Sequence, residues 1–305
     1  MLFRSAATAL LDGWLRAEGL HCSLEDVDGR QVLYASTEPT RTPAVLLNAH
    51  LDVVPGETDQ FTPQVVGGWL HGRGSADCLG NAVICARALC RARGRASVGA
   101  IFSSDEEIGG GTTAAMVARG YGAKQLVLVV DGPAYAVAVA QKGIVTCVLT
   151  ARGRSAHAST PWLGNNAIDR LVDGYVKVRT LFPEAKAGDE WHDTMAATVI
   201  AAGTAANRVP DEASLTLNLR YTEPGGDERW AARLRDASGL EVAIRMSCPV
   251  VSFDPATPAL GRLAAAMQRH FRREIALVRM NGATDARHFA RSEERRVGKE
   301  CRSRW

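Results

Sequence analysis

The side chains best suited to chemistry are a histidine and several acids in four short strings. They are His50 and Asp52 in NAHLD, Asp77 in GRGSADCLG, Asp105, Glu106 and Glu107 in SSDEEIGGG, and Asp131 in VVDGP. Taken singly, each has an ordinary use. A histidine at a strand end is hydrogen-bonded structure, Asp77 ahead of a helix is an N-cap, Glu106 and Glu107 line a solvated loop, and Asp131 before Gly132 and Pro133 forms a turn. Taken together they imply a cation, because carboxylates packed at one crevice repel one another unless positive charge compensates. One imidazole among carboxylates is a hard, partly nitrogen donor set that favours a divalent metal, zinc above all. Side chains on a strand alternate with period two, so His50 and Asp52 share a face. Asp52 is therefore expected to accept the free ring N–H of His50. Glu106 and Glu107 point in different directions, which suits one to metal and the other to water. That division fits hydrolysis, in which a cation lowers the pKa of water to roughly 7 and a free carboxylate takes the proton.

Positioning these groups requires strands that end together. TPAVLLNAH (42–50), ASVGAIFSS (96–104) and KQLVLVVD (124–131) are continuous apolar runs, separated by helical patterns at 79–94 and 111–120. The fold class they imply is α/β, a doubly wound and mostly parallel sheet with helices on both faces. Ligands in such sheets bind beyond the carboxyl ends of the strands, where His50, Glu106, Glu107 and Asp131 fall. The texture changes after Gly143. Alternating strands at 144–152, 196–203, 213–221 and 240–246, with helices at 165–182 and 226–238, describe a small α+β sheet with helices on one face. The first pattern returns after Pro255 with a helix at 258–274 and a strand at 275–280. The expected organisation is a catalytic domain over 1–143, an inserted lid and dimerisation domain over 144–253, and a second catalytic part over 254–290.

At 305 residues the length suits about two domains. Hydrophobic residues at 46% and charged residues at 23% exclude disordered, collagen-like and coiled-coil chains. No apolar run approaches the roughly 18 residues of a membrane span. The opening segment, broken by Asp12, Arg16 and Glu18, reads as an amphipathic helix rather than a signal peptide, so a cytoplasmic location without membrane partners is expected. The net charge of +3 resides wholly in residues 291–305, RSEERRVGKECRSRW, which hold six basic and three acidic side chains. Residues 1–290 carry 30 of each sign, so no nucleic-acid partner is expected. The tail resembles the translation of a short-read sequencing adapter. It is expected to be non-native, with the natural chain continuing past Ala290. Seven cysteines without a C-x-x-C pair argue against a disulfide framework or a thiolate zinc site.

The strings NAHLDVVPG (48–56), GRGSADCLG (72–80), SSDEEIGGG (103–111), VVDGP (129–133), ARGRSAHASTPWLGNNAI (151–168), NRVPDEASLTLNLRY (207–221) and NGATDARHF (281–289) occur in this order. Over essentially residues 1–290 the chain resembles the co-catalytic zinc metallohydrolases, which include aminoacylase, acetylornithine deacetylase, succinyl-diaminopimelate desuccinylase and several carboxypeptidases and dipeptidases. The resemblance implies two divalent metal ions, zinc foremost, with cobalt or manganese as alternatives. It implies that Asp77 bridges them, that His50 and Asp131 complete one site, and that Glu107 belongs to the other. Glu106 is then the general base, with Asp52 behind His50, while His157 reaches across a dimer to stabilise an oxyanion. Asn207, Arg220 and Thr284 resemble substrate-holding positions, and Arg220 is suited to a bidentate grip on a carboxylate.

The function implied is deacylase- or desuccinylase-like hydrolysis of an N-acyl amino acid or small peptide, in a homodimer formed through the lid. A dipeptidase or carboxypeptidase of the same family and a non-catalytic binding member are the alternatives. The chain departs from the family pattern in three places. Leu79 replaces the lysine of the D-x-K-G string. Asp131 stands where desuccinylases and deacetylases usually have glutamate and several peptidases have aspartate, which leaves the subfamily open. No H-x-x-N-E-like string follows Phe289, so the second metal site is expected to lack its C-terminal histidine, for which His288 is a poor substitute by position. The start also reads as short.

Overall fold

The computed structural model describes residues 2–133, 135–183, 188 and 190–290. The adapter-like segment, residues 291–305, lies outside them. The described residues divide into two compact units, one over 2–137, 254–277 and 284–290 and the other over 138–253 and 278–283.

The first unit opens with α1 (Leu2–Ala17), then β1 (His21–Val27), β2 (Arg30–Ser36) and β3 (Val45–His50). A short hairpin, β4 (Gln64–Val66) and β5 (Trp69–His71), precedes α2 (Leu79–Ala92). After it come β6 (Val98–Ser103), α3 (Gly111–Ala118) and β7 (Leu126–Val129), and β8 (Ala136–Gln141) leads into the second unit. A five-stranded sheet takes the order β1-β2-β6-β3-β7. β6, β3 and β7 run parallel, and β2 and β1 extend the sheet antiparallel at one edge. The β1–β2 turn was not anticipated, yet Asp28 and Gly29 both take positive φ, 52° and 75°, as a tight hairpin turn demands.

Both faces of the parallel strands are covered, which is why their sequences are continuously apolar. Leu47 and Ala49 of β3 and Ala100 and Phe102 of β6 pack with Leu15 of α1 and Cys85 and Leu89 of α2. The alternate residues, Leu46 and Ile101, pack with Met116 of α3, Tyr121 and Phe289. His50 follows the parity of Leu46 and so belongs to this second face. Burying each of these large side chains contributes about 1.5–3 kcal/mol. The parallel register sets His50 level with Ser103 and Asn48 level with Val129, so β3, β6 and β7 end together.

The second unit contains β9 (Gly143–Arg152), β10 (Ala156–His157), α4 (Ala167–Arg179), β11 (Thr194–Ala202), β12 (Arg208–Val209), β13 (Glu212–Tyr221), α5 (Gly226–Ser238), β14 (Glu241–Cys248) and β15 (Val251–Ser252). Its four-stranded antiparallel sheet, β11-β13-β9-β14, buries alternate residues of β9 and β13 against α4 and α5. The strand–helix–strand–strand–helix–strand order is the one read from the sequence. β11 is an edge strand with Val199 and Ile200 exposed. α6 (Pro258–Phe271) and β16 (Ala276–Met280) follow, and β16 joins β8 and β15 in a three-stranded sheet. No helix among the described residues is long and apolar enough to cross a membrane.

Candidate metal centre

The four acidic strings converge at the carboxyl ends of β3, β6 and β7. His50, the last residue of β3, is buried, and its Nε2 lies 2.9 Å from Asp77 Oδ1 and 3.9 Å from Asp131 Oδ2. Asp77 sits just ahead of α2, joined to Cys78 by a cis peptide bond. Ligand atoms of His50, Asp77 and Glu107 lie within 4.8 Å of one another, as do those of His50, Cys78 and Asp131. Glu106 and Glu107 open a single 3-10 turn, Glu106–Ile108, between β6 and α3. That turn is pinned at both ends. Asp105 accepts Thr112 N at 3.1 Å and so caps α3, while its carbonyl accepts Ile108 N and Gly110 N. Asp52 holds the other side, its Oδ1 accepting Glu106 N and its Oδ2 accepting Glu107 N, each at 3.1 Å.

The expected His50–Asp52 pairing takes a different form. His50 Nδ1 is 2.9 Å from the backbone carbonyl of Asp52 and 3.4 Å from its Oδ1. β3 ends at His50, so the period-two argument no longer governs Asp52, and its carboxylate turns to the two glutamate amides. The ring is still fixed with Nδ1 as donor and Nε2 toward the carboxylates.

The residues fit a divalent cation. His50 Nε2 is buried among carboxylates, 2.9 Å from Asp77 Oδ1 and 3.9 Å from Asp131 Oδ2. Burial opposes a charge on the ring, yet the hydrogen bond to Asp52 and the charges of Asp131 and Asp52 raise its pKa to about 10. The cluster therefore favours positive charge at this point. Burial, reinforced by neighbouring Asp77, also raises the pKa of Glu107, and burial raises that of Asp131. Cys78 is a weaker donor, because burial pushes its thiol up to about 12 and Sγ donates to Val130 O at 3.2 Å. Glu106 differs in its surroundings. Burial and the charge of Asp285 push it up to about 7 against the pull of Arg287, which suits proton transfer near neutrality.

The remaining candidates fall in two places. His157 and Asn207 lie in the second unit side by side, because β10 pairs with β12 and Ala158 N donates to Asn207 O at 2.9 Å. His157 is exposed, and its Nδ1 is 2.8 Å from Ser159 Oγ. Arg220 lies on β13 opposite the core-facing parity, half-buried, and burial lowers its pKa. Thr284, in the first unit, is buried, and its Oγ1 accepts Ala286 N at 3.3 Å, the bond of a residue starting the helical turn at 286–290. Sequence reasoning missed two neighbours of Thr284. Arg287 donates from Nη1 to Glu106 Oε1 at 3.2 Å, and buried Asp285 accepts Ser103 Oγ and Thr113 Oγ1. Nothing in the string NGATDARHF reveals partners so distant in sequence.

A profile described as Peptidase family M20/M25/M40 matches residues 46–298. A relative from Aeropyrum pernix, provisionally named LysW-lysine/LysW-ornithine hydrolase, is 31% identical over 219 residues, covering 71% of this chain and 57% of the relative. A Staphylococcus epidermidis protein provisionally named succinyl-diaminopimelate desuccinylase is 25% identical over 300 residues, covering 84% of this chain and 74% of the relative. The chain thus spans between 57% and 74% of the length of these curated relatives. Among solved structures, a metallo-carboxypeptidase of the M20 family from Sulfolobus solfataricus shares the fold. Its TM-score is 0.76 at 13% identity, over 94% of this chain and 83% of that one.

Proposed function

The chain belongs to the M20/M25/M40 peptidase family, and from that membership we propose that it is a zinc-dependent amidohydrolase acting on N-acyl amino acids or small peptides. The observation that carries the proposal is the buried Nε2 of His50 set among the carboxylates of Asp77 and Asp131 at the common end of three parallel strands. His50, Asp77, Asp131 and Glu107 would hold the metal, two ions in the full ligand set, with Asp77 shared between them. The chemistry a divalent cation supplies at such a site is polarisation of a scissile carbonyl and acidification of water.

The chain's own residues supply the rest. Glu106 Oε1 is engaged by Arg287, which leaves Oε2 to take a proton from the attacking water and return it to the leaving amine. Asp52 fixes both the His50 ring and the backbone of the two glutamates. Arg220, charged and half-buried, suits a substrate carboxylate. His157 is assigned to the oxyanion, with Asn207 beside it and Thr284 as a further substrate position.

A homodimer through the inserted unit is part of the same reading. The exposed edge of β11 borders an apolar groove of about 300 Å³ that includes Leu171, Val172, Tyr175, Val199 and Ile200, and a second copy would cover it. The decisive assay supplies zinc and measures amine release from N-acetyl amino acids, N-succinyl amino acids and dipeptides. Release from one class, lost with chelator and reduced about 10²- to 10⁴-fold by Glu106→Gln with metal retained, supports the proposal. No release from any class by a metal-loaded chain, or full activity in Glu106→Gln, overturns it.

A further inference from the structure

Arg287 buries a guanidinium that is 4% exposed, so its partners define its use. Nη1 donates to Glu106 Oε1 at 3.2 Å, and Nη2 lies 3.6 Å from Asp285 Oδ1. Asp285 is itself fixed, with Oδ2 accepting Ser103 Oγ at 3.1 Å and Thr113 Oγ1 at 2.5 Å. Ser103 ends β6 and Thr113 lies in the first turn of α3. These are the two elements between which Glu106 is suspended. Gly110 closes the arrangement. A Cβ there would stand 2.1 Å from Asp285 Oδ1 and 3.1 Å from Arg287 Nη2, and its φ of 65° suits glycine. The side chain of Glu106 is thus tied through Arg287 and Asp285 to both ends of its own frame.

We propose that Arg287 is a positioning residue for the general base, holding Glu106 Oε1 so that Oε2 faces the reacting water, with Asp285 as its anchor. The proposal rests on the reading of Glu106 as base. A purely structural ion pair would have the same contacts but a different energetic signature. Its removal would weaken the fold, whatever occupies position 106. A positioning residue acts only through the group it positions.

The test measures kcat and KM for the parent, Glu106→Gln, Arg287→Met, Arg287→Lys and the double variant Glu106→Gln/Arg287→Met. Melting temperature and metal bound per chain are recorded for each. Arg287→Met is expected to lower kcat about 10- to 100-fold with KM within about twofold, since a misplacement near 1 Å has effects of that size. Arg287→Lys should recover part of the loss. In the Glu106→Gln background the loss of Arg287 should lower kcat no further, and metal content should be unchanged throughout. An equal fold-loss in both backgrounds, or Arg287→Met within about twofold of the parent, overturns the positioning role. If Arg287→Met does not fold, Arg287→Lys alone and combined with Glu106→Gln gives the same comparison. A metal-loaded parent that hydrolyses nothing, or an active Glu106→Gln, removes the functional reading and this proposal with it. An active parent that needs Glu106 but shows additive losses removes this proposal alone.

Discussion

Exchanging Asp52 for asparagine alters one atom and one charge at a side chain that is 1% exposed. The carboxylate accepts Glu106 N on one oxygen and Glu107 N on the other, both at 3.1 Å. Asparagine retains one acceptor and turns an amide N–H toward the second backbone donor. A hydrogen bond to a charged group contributes about 1.5–3 kcal/mol, and a buried donor left unpaired has a penalty of similar size. The remaining bond weakens too, since its acceptor is now neutral. The expected local loss is about 2–3 kcal/mol, which accelerates amide exchange about 30- to 150-fold at Glu106 or Glu107. Hydrogen exchange on the metal-stripped chain reads these amides directly, by NMR or on a peptide spanning residues 103–110. Amides of the 212–221 strand, which lie in the other unit, serve as the control. Exchange at both glutamate amides within about twofold of the parent would refute the reasoning, because it would mean that Asp52 does not hold the turn.

Three further outcomes follow from the geometry. Gly110→Ala forces a left-handed φ of 65° on a residue with a Cβ and drives that Cβ to 2.1 Å from Asp285 Oδ1, so urea unfolding should show a loss of about 2 kcal/mol or more; no shift would place Asp285 elsewhere. Asp193 is partly buried, which opposes its charge, but bonds from Thr222 and Trp230 together hold its pKa below the usual 3.8. Its depressed folded-state pKa means that its stabilisation is present above about pH 4 and fades as pH falls through the folded value, so the stability gap between parent and Asp193→Asn should narrow in that window; a constant gap down to about pH 2 would contradict this. The proposed homodimer through β11 predicts that the chain sediments as a dimer and Ile200→Asp as a monomer; a parent that sediments as a monomer removes the dimer, and a variant that stays dimeric moves the interface away from β11.

The parts of the site legible in the sequence are those set by single strands. His50 and Asp131 follow apolar runs whose parallel pairing obliges them to end together, and Glu106 and Glu107 follow a third. The turn chemistry of two hairpins was present but unread. Asp28–Gly29 and Gly67–Gly68 each place consecutive residues at positive φ, a local signal masked in the first hairpin by the mixed burial of β1 and in the second by the shortness and full exposure of β4 and β5. Asp285 and Arg287 were illegible for a different reason. Their partners Thr113 and Glu106 lie 172 and 181 residues away, and no local periodicity encodes a contact of that span. Asp52 shows the limit of pattern arguments. β3 ends at His50, two residues too early for alternation to predict which atom of Asp52 the His50 ring meets.

The most direct test of the central claim is the zinc content of the purified chain after equilibrium dialysis, measured by atomic emission beside His50→Ala and Asp131→Ala. At least about one zinc per parent chain is expected, with its loss in both variants and melting temperatures showing that the variants still fold. A folded parent that retains no zinc above the dialysis blank, or variants that keep the parent's full zinc content, would contradict the assignment of this site as the metal centre.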